Sequence, residues 1–307
     1  MIFAGNGVAF PKRPNGGDTV AKSILHMIES NMSTFSKGQK RIAAYILQNY
    51  DKAAFMTASK MGKLVGVSES TVVRFASELG YDGYPSMQRA LQEMIRSRLT
   101  STQRIQAAGD LFDRQDVLSA VVQSDMEKLR MMVGEADRAV FKDVVKRIMD
   151  ASHIYIVGAR SSSFVAGYLN FYMHLLFENV TLVQSTAAGE IFEQLLRIGP
   201  GDVLIAISFP RYSKVTMSTV KFAQDRGATI IGITDNEISP IYQMSDAALL
   251  APCEMISFVD SMVAPLSLIN ALLIAIGYQM GTDVSKTFGE LEDIWNAYGV
   301  FGKMDDE

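Results

Sequence analysis

The first hundred residues carry apolar positions at the three- and four-residue spacing of amphipathic helices. One apolar stripe follows residues 42–50, a second follows 58–65, a third follows 72–79, and a fourth begins at Tyr84. No alternating strand pattern interrupts them. The spacing therefore predicts an all-α domain over residues 18–99.

Residues 57–81 have the pattern of two short helices joined by a turn. Gly66 lies where a left-handed residue would end the first helix, and Ser68 lies where a hydroxyl would cap the second. The second helix would bury Val72 and Phe75 and turn its opposite side outward. This pattern is typical of a helix-turn-helix whose second helix enters the DNA major groove.

The outward side chains suit the chemistry of DNA. Arg74 can donate two hydrogen bonds to a guanine, hydroxyls can donate or accept, and Val73 can contact a thymine methyl group. An amphipathic packing helix with a polar outer face is the alternative interpretation. The candidate DNA-binding residues are Ser68, Ser70, Thr71, Val73, Arg74, Ser77, Lys60 and Lys63.

The distribution of charge favours DNA binding for this segment only. Residues 1–100 hold 13 Lys and Arg against 7 Asp and Glu, whereas residues 101–307 hold 16 against 26. A cationic module is thus joined to an anionic one. Because phosphate neutralisation supplies most non-specific DNA affinity, the first module is expected to bind DNA in a salt-dependent way.

From residue 151 onward the pattern changes to short runs that are apolar at almost every position. Five of these runs are predicted strands, over residues 153–157, 180–184, 203–208, 229–234 and 247–251. Strands apolar on both faces and joined by helical crossovers form parallel sheets covered by helices. The predicted fold is therefore an all-α helix-turn-helix domain followed by an α/β domain with a five-stranded parallel sheet, an α/β/α sandwich.

Length and composition limit the class of protein but point to no particular binding site. A chain of 307 residues, 48% apolar and 20% charged, fits two folded domains. Its single cysteine, Cys253, allows no internal disulfide, and its three histidines have no ligand spacing. We therefore predict a cytoplasmic protein with no metal and no cofactor. The start of the chain lacks the basic region of a secretory signal, and the apolar stretch 262–280 is interpreted as a buried core helix rather than a membrane span.

Polar turns follow two of the predicted strands. Residues 158–163 read Gly-Ala-Arg-Ser-Ser-Ser, and residues 208–213 read Ser-Phe-Pro-Arg-Tyr-Ser, each at the start of a helix. Hydroxyls and N–H groups at helix N-termini suit phosphate, and ligands of parallel sheets bind at the carboxyl ends of the strands. The alternative is that these serines only cap helices. The candidate effector-binding residues are Ser161, Ser162, Ser163, Arg160, Ser208, Arg211, Ser213 and Glu190.

The stretch over residues 35–91, with VSESTVVRFASELGYDGY at 67–84, resembles the N-terminal domain of RpiR/MurR-type bacterial transcriptional regulators. Residues from about 137 to 283 resemble the sugar isomerase (SIS) domain of the same family. The resemblance implies a homo-dimer or tetramer that binds a double-stranded DNA operator. It also implies that the SIS domain senses a phosphorylated sugar or sugar acid.

Position by position, the resemblance assigns Ser162 to the SIS glycine-serine turn, in which Arg160 replaces the usual second glycine. It assigns Ser208 and Ser213 to the Ser-x-Ser-Gly-x-Thr turn, in which Pro210 and Arg211 stand where Ser and Gly are expected. Arg211 could shift the preference toward a carboxylate-bearing sugar acid, or it could replace the lost serine contact.

Two other functions remain open at this point. SIS domains also occur in sugar-phosphate isomerases, and Glu190, His174 and Asp235 are the candidate bases here. The N-terminal domain could instead bind a protein partner. Because a cationic helix-turn-helix is attached, we expect a regulator that is not an enzyme and has no membrane partner. The expected organisation is a flexible tail over 1–17, a helix-turn-helix domain over 18–99, a linker and connecting helix over 100–136, a SIS domain over 137–283 and a C-terminal tail over 284–307.

Overall fold

The computed structural model describes residues 24–54, 56–98, 102, 116–184, 187–253 and 258–301. The predicted flexible tail over 1–17 lies outside these residues. So does the expected linker before residue 116, apart from residue 102.

The described N-terminal residues form helices around one apolar core. The core holds Ile28 and Ile42 from the first helices, Phe75 from the predicted recognition helix, and Met87 and Leu91 behind it. The predicted all-α domain is therefore confirmed. Its helices are α1 (Ile24–Ser30), α2 (Lys37–Gln48), α3 (Tyr50–Ala53), α4 (Ala58–Val65), α5 (Glu69–Glu78) and α6 (Gly83–Arg98).

The rest of the described chain begins with two helices and continues as an alternation of strands and helices. All five predicted strands are present, each within about one residue of its expected ends, and every pair of neighbours is parallel. The elements are α7 (Val117–Glu135), α8 (Arg138–Met149), β1 (Ile154–Gly158), α9 (Ser161–Leu176), β2 (Val180–Val183), α10 (Ala188–Gln194), β3 (Val203–Ile207), α11 (Lys214–Asp225), β4 (Thr229–Thr234), α12 (Pro240–Met244), β5 (Ala247–Leu250), α13 (Val263–Met280) and α14 (Thr282–Tyr298).

The sheet has the order β2-β1-β3-β4-β5, and its two faces contribute to two separate cores. Ile154 and Ile156 of β1 face the core that α8, α9 and α13 cover, whereas Tyr155 and Val157 face the core under α10 to α12. The period of two along each strand explains this division. The α/β/α sandwich is therefore confirmed.

Two helices near the C-terminus differ from their sequence interpretation. The expected buried helix, α13, is buried along one face only, since Ile274 is 58% exposed and Tyr278 is 83% exposed. By length and composition it is the one described helix apolar enough to cross a membrane, but its other face packs into the sheet core. The segment 284–307, expected as a tail, is helical through Tyr298 as part of α14.

Candidate DNA-reading helix and anion pocket

The turn between α4 and α5 has the local chemistry that the sequence indicates. Gly66 adopts a left-handed conformation (φ 70°), which ends α4, and Arg41 Nη2 donates a 2.8 Å hydrogen bond to the Gly66 carbonyl. Ser68 then caps α5, because its hydroxyl accepts from the Thr71 N–H at 3.3 Å. Each helix end that meets at the turn thus has a hydrogen-bond partner within the protein for one of its free backbone groups.

The side of α5 opposite the core is solvent-exposed. Arg74, Ser70 and Ser77 are exposed, and Val73 is 39% exposed. Lys60 and Lys63 on α4 are exposed as well. The structure therefore presents the predicted base-reading side chains to solvent, where a DNA groove could reach them.

Hydrogen bonds within α5 reduce what some of its hydroxyls can do. The Ser68 hydroxyl lies 2.9 Å from the Ser70 hydroxyl and 2.8 Å from the Thr71 hydroxyl. Ser77 Oγ donates to the Val73 carbonyl at 3.4 Å. Ser68 and Thr71 thus stabilise the start of the helix, and the guanidinium of Arg74 remains the strongest candidate for reading a base.

Helix α6 holds the backbone that precedes α4. Tyr84 donates its hydroxyl to the Met56 carbonyl at 2.7 Å, and Gln88 Nε2 donates to the same carbonyl at 3.0 Å. Gln92 Nε2 donates to the Ala54 carbonyl at 2.9 Å. Burial raises the pKa of the Tyr84 phenol to about 12, so the phenol keeps its proton and remains a donor.

Positive charge is spread over the surface of this domain. The Lys and Arg side chains that the structure describes in this domain are all exposed, as expected for side chains that would contact phosphates. They are Lys37, Lys40, Arg41, Lys52, Lys60, Lys63, Arg74 and Arg89.

The second site lies where the chain order of the sheet reverses. From β1 the chain goes to β2 on one side, and from β2 it crosses over to β3 on the other side of β1. The connection after β1 therefore leads away from β3, and the connection after β3 leads away from β1. Gly158 pairs with Ile207, so the two strands end at the same level. Ligands of parallel sheets bind in the crevice at such a point.

Gly158 at the end of β1 allows α9 to begin close to the sheet. A Cβ atom there would lie 2.5 Å from the Ser162 carbonyl oxygen, which is closer than real contacts occur. Only glycine therefore permits the first turn of α9 to sit against β1.

The polar turns after β1 and β3 share one pocket of about 350 Å³. Among the predicted effector residues, the structure brings together Arg160, Ser161, Ser162, Ser208, Arg211 and Ser213. Two of them are buried, since Ser208 is 3% exposed and Ser162 is 4% exposed. The pocket thus combines buried hydroxyls with two exposed guanidinium groups.

Both arginines of the pocket have unusual backbone conformations. Arg160 has φ 57° and ψ −128°, and Arg211 has φ 69°. They are the non-glycine residues with positive φ in the described part of the chain. Such conformations cost about 1–3 kcal/mol each and cluster at ligand sites. The two strained positions therefore coincide with the pocket.

The same geometry tests the alternative that Ser162 and Ser213 only cap their helices. Ser213 occupies the N-cap position of α11, but its side chain makes no capping hydrogen bond. The N-cap of α9 is Arg160, also without a side-chain cap, and Ser162 lies inside the helix. Helix capping therefore does not account for either serine.

Other predicted residues lie away from the pocket lining. Ser163 donates its hydroxyl to the Arg160 carbonyl at 2.6 Å, and Glu190 lies in the first turn of α10. His174 lies near the far end of α9, about 20 Å along the helix from its first residue. Asp235 accepts from the Tyr212 hydroxyl at 2.9 Å and lines a different cavity.

The pocket also contains residues that the sequence analysis missed. Phe258, Val259 and Asp260, between β5 and α13, complete its lining. They follow no polar turn and begin no predicted helix, so no local signal pointed to them. Their position at the pocket depends on tertiary structure alone.

Comparison with known proteins matches each of the two domains to a family model. A model of the rpiR-family helix-turn-helix domain matches residues 22–98, and a model of the SIS domain matches residues 147–275. The chain is of the RpiR type, an rpiR-family helix-turn-helix domain joined to a SIS domain.

Two relatives match this regulator over about three quarters of its length. An uncharacterized HTH-type transcriptional regulator of Clostridium perfringens is 26% identical over 228 residues, which cover 74% of this chain and 80% of the relative. One from Haemophilus influenzae is 27% identical over 243 residues, which cover 75% and 81%.

Two solved structures share the fold of the regulator. The Vibrio vulnificus NanR protein complexed with ManNAc-6P is 21% identical, with a TM-score of 0.56, and the match covers 91% of this chain and 100% of that one. The sugar isomerase domain of an RpiR transcription factor from Sphaerobacter thermophilus is 23% identical, with a TM-score of 0.55, over 58% of this chain and 99% of that one.

The RpiR-type regulator has a donor set suited to anions rather than metals. The pocket offers hydroxyls and guanidinium groups with Asp260 as its one acidic side chain. Within the described ranges, no three His, Cys, Asp or Glu side chains are grouped as metal ligands. Phosphate or carboxylate groups are the chemistry that this lining can bind.

Proposed function

We propose that this regulator binds operator DNA through α5 and binds a phosphorylated sugar or sugar acid in the pocket between β1 and β3. Occupancy of the pocket would change operator affinity by favouring one arrangement of the protein over another. The observation that carries the effector proposal is the meeting of Ser162, Ser208 and two strained arginines in one pocket.

The exposure and positive charge of the side chains on α4 and α5 support DNA binding. Arg74 and Val73 lie on the solvent side of α5, and exposed lysines flank them on α4. In the proposal Arg74 reads a base edge, while Lys60 and Lys63 contact phosphates.

The location of the pocket and its hydrogen-bond donors support the binding of a phosphorylated effector. A phosphate would sit near the buried hydroxyls and the first turns of α9 and α11, with Arg160 or Arg211 adding charged hydrogen bonds. NanR, which shares the fold, was solved with the phosphorylated sugar ManNAc-6P, and we carry that ligand class over to this chain. A sugar acid would use the second guanidinium for its carboxylate.

We also propose that the pocket is not catalytic. None of the three candidate bases, Glu190, His174 and Asp235, belongs to its lining. Asp260 is the carboxylate that does line it, so the rival isomerase hypothesis now depends on this residue. Turnover of sugar phosphates by the full chain that is lost in Asp260→Asn would establish the isomerase instead.

The working form would be a homo-dimer or tetramer in the cytoplasm. Exposed apolar side chains on α9 and α13, Phe164, Phe171, Ile274 and Tyr278, support a surface for a second copy. A dimer could place two α5 helices on half-sites about 34–36 Å apart. Light scattering of the full chain would test this: a monomer at micromolar concentration would contradict it.

The effector proposal is tested by thermal unfolding of the full chain with glucose 6-phosphate, 6-phosphogluconate, glucose, gluconate and inorganic phosphate. A ligand that binds only the folded state raises its melting temperature. We expect phosphorylated sugars to raise it, Ser208→Ala to abolish the rise, and the exposed Ser218→Ala on α11 to leave it unchanged. Equal shifts in all three proteins would contradict the pocket assignment.

The DNA proposal needs duplexes selected from a random library by the full chain. Their affinity should fall steeply with salt, and Lys60→Ala should reduce the slope of log K against log salt by about 1. Binding that is insensitive to salt would favour a different partner for this domain.

A further inference from the structure

We infer that Ser261, Asp125 and Lys128 form a polar connection that transmits occupancy of the pocket to helix α7. The inference rests on the proposed effector site. It adds residues that lie outside the pocket lining, and it names the route by which the pocket wall is held to the helix that precedes the sheet domain.

The connection begins at the wall of the pocket. Phe258, Val259 and Asp260 line the pocket, and Ser261 follows them directly. Ser261 is buried, at 7% exposed, and its carbonyl accepts from Cys253 Sγ at 3.3 Å. Its hydroxyl also accepts from the Val263 N–H at 3.4 Å, at the start of α13. Ser261 thus lies directly between the pocket wall and the start of α13.

Ser261 is bonded across a large sequence distance to α7. Its hydroxyl donates to Asp125 Oδ1 at 2.5 Å, and the two residues are 136 positions apart. A bond of this length to a carboxylate is a strong, charge-assisted one. The pocket wall and α7 are thus joined through one carboxylate.

The same carboxylate faces a buried cation. Lys128 is 2% exposed, its Nζ lies 3.5 Å from Asp125 Oδ1, and it donates to Ser124 Oγ at 3.0 Å. Lysine is almost never fully buried unless it is paired. Both groups lie on α7, three residues apart, so the pair does not itself join α7 to another element. Lys128 instead faces the carboxylate that accepts from Ser261, and removing either charge alone would leave the other buried and unpaired.

Helix α7 is placed to use such a signal. It is the first helix described after residue 102, and so it follows the segment that connects it to the DNA-binding domain. Leu129 and Met132 pack its inner side on the sheet core. A cavity of about 340 Å³ lies beside its last turns, lined by Met132 and Glu135 and by residues that follow β4. The helix thus has space to shift when its polar connection changes.

The test measures two constants in the full chain: binding of glucose 6-phosphate, and affinity for DNA duplexes selected from a random library, with and without the saturating sugar phosphate. The variants are Ser261→Ala and the double change Asp125→Leu with Lys128→Met, which removes the acceptor of the Ser261 hydroxyl and leaves no unpaired buried charge. Matched controls are Ser218→Ala and the exposed pair Glu127→Gln with Arg130→Met on the same helix. Circular dichroism confirms that each variant is folded.

We expect glucose 6-phosphate to change the DNA affinity of the wild-type chain and both controls by about 5- to 150-fold. In the two variants the change should shrink to less than about twofold, while sugar-phosphate affinity stays within about threefold of wild type. If both variants bind the sugar phosphate and retain the full change in DNA affinity, the connection does not transmit the signal. If the wild-type chain binds neither glucose 6-phosphate nor 6-phosphogluconate, the effector proposal fails, and this inference falls with it.

Discussion

Replacing Arg160 by glycine should strengthen the fold and weaken the site. The residue has φ 57° and ψ −128°, a region that glycine occupies freely and other residues do not. Relief of this strain is worth about 1–3 kcal/mol, and the greater freedom of glycine in the unfolded chain offsets about 0.5–1 kcal/mol of it. The net gain in the free energy of unfolding is therefore about 1 kcal/mol, or roughly 2–4 °C in melting temperature.

The same change removes a guanidinium from the pocket. A hydrogen bond to a charged group contributes about 1.5–3 kcal/mol, so the affinity for a phosphorylated ligand should fall roughly 10- to 150-fold. Differential scanning calorimetry of the apo protein measures the first effect, and isothermal titration with glucose 6-phosphate measures the second.

Arg160→Ala is the matched control, because it removes the same guanidinium but keeps a Cβ in the strained conformation. It should lose affinity as Arg160→Gly does and should gain no stability. Equal melting temperatures of the alanine and glycine variants would show that the Arg160 backbone is not strained. A glycine variant that binds the ligand as tightly as wild type would show that the guanidinium does not contact it.

Three further results are expected from the DNA-binding domain. Ser68→Ala removes the cap of α5 and should lower the free energy of unfolding by about 1 kcal/mol, measured by urea unfolding; no change would mean that the cap is dispensable. Arg74→Ala should reduce the preference for selected over shuffled duplexes by roughly 1–3 kcal/mol, and unchanged selectivity would contradict its role as a base reader. Because burial raises the pKa of Tyr84 from 10.0 to about 12, the folded domain keeps a proton that the unfolded chain releases. Stability should therefore fall as pH rises across that interval, and Tyr84→Phe should remove this part of the fall; an identical pH profile in the variant would contradict it.

Much of the fold was predictable because its signals are local. The five strands are apolar at almost every position, which only a sheet buried on both faces requires, and Gly66 and Ser68 mark the turn by their backbone and capping chemistry. Ser162 and Ser208 were predicted to meet because parallel strands end at one edge. The order of the strands then places them at the same level.

The rest depends on contacts between distant parts of the chain. The pocket wall at Phe258 to Asp260 has no sequence signal, and the bond between Ser261 and Asp125 spans 136 positions. In the sequence Lys128 is one of several charged residues of an amphipathic helix, and no local pattern predicts that it is buried. Glu190 is expected near the effector because its helix follows a strand and therefore starts at the ligand-binding edge of the sheet. In the structure Glu190 is not part of the pocket lining.

The three side chains of α6 that hold the carbonyls of Ala54 and Met56 have a consequence for how the protein searches DNA. In the proposed complex the helix-turn-helix would meet the duplex already folded, so DNA binding would not include the entropy cost of ordering it. Its rate of capture should then depend on diffusion and ionic attraction alone, and its heat capacity of association should reflect only the surface that the groove covers.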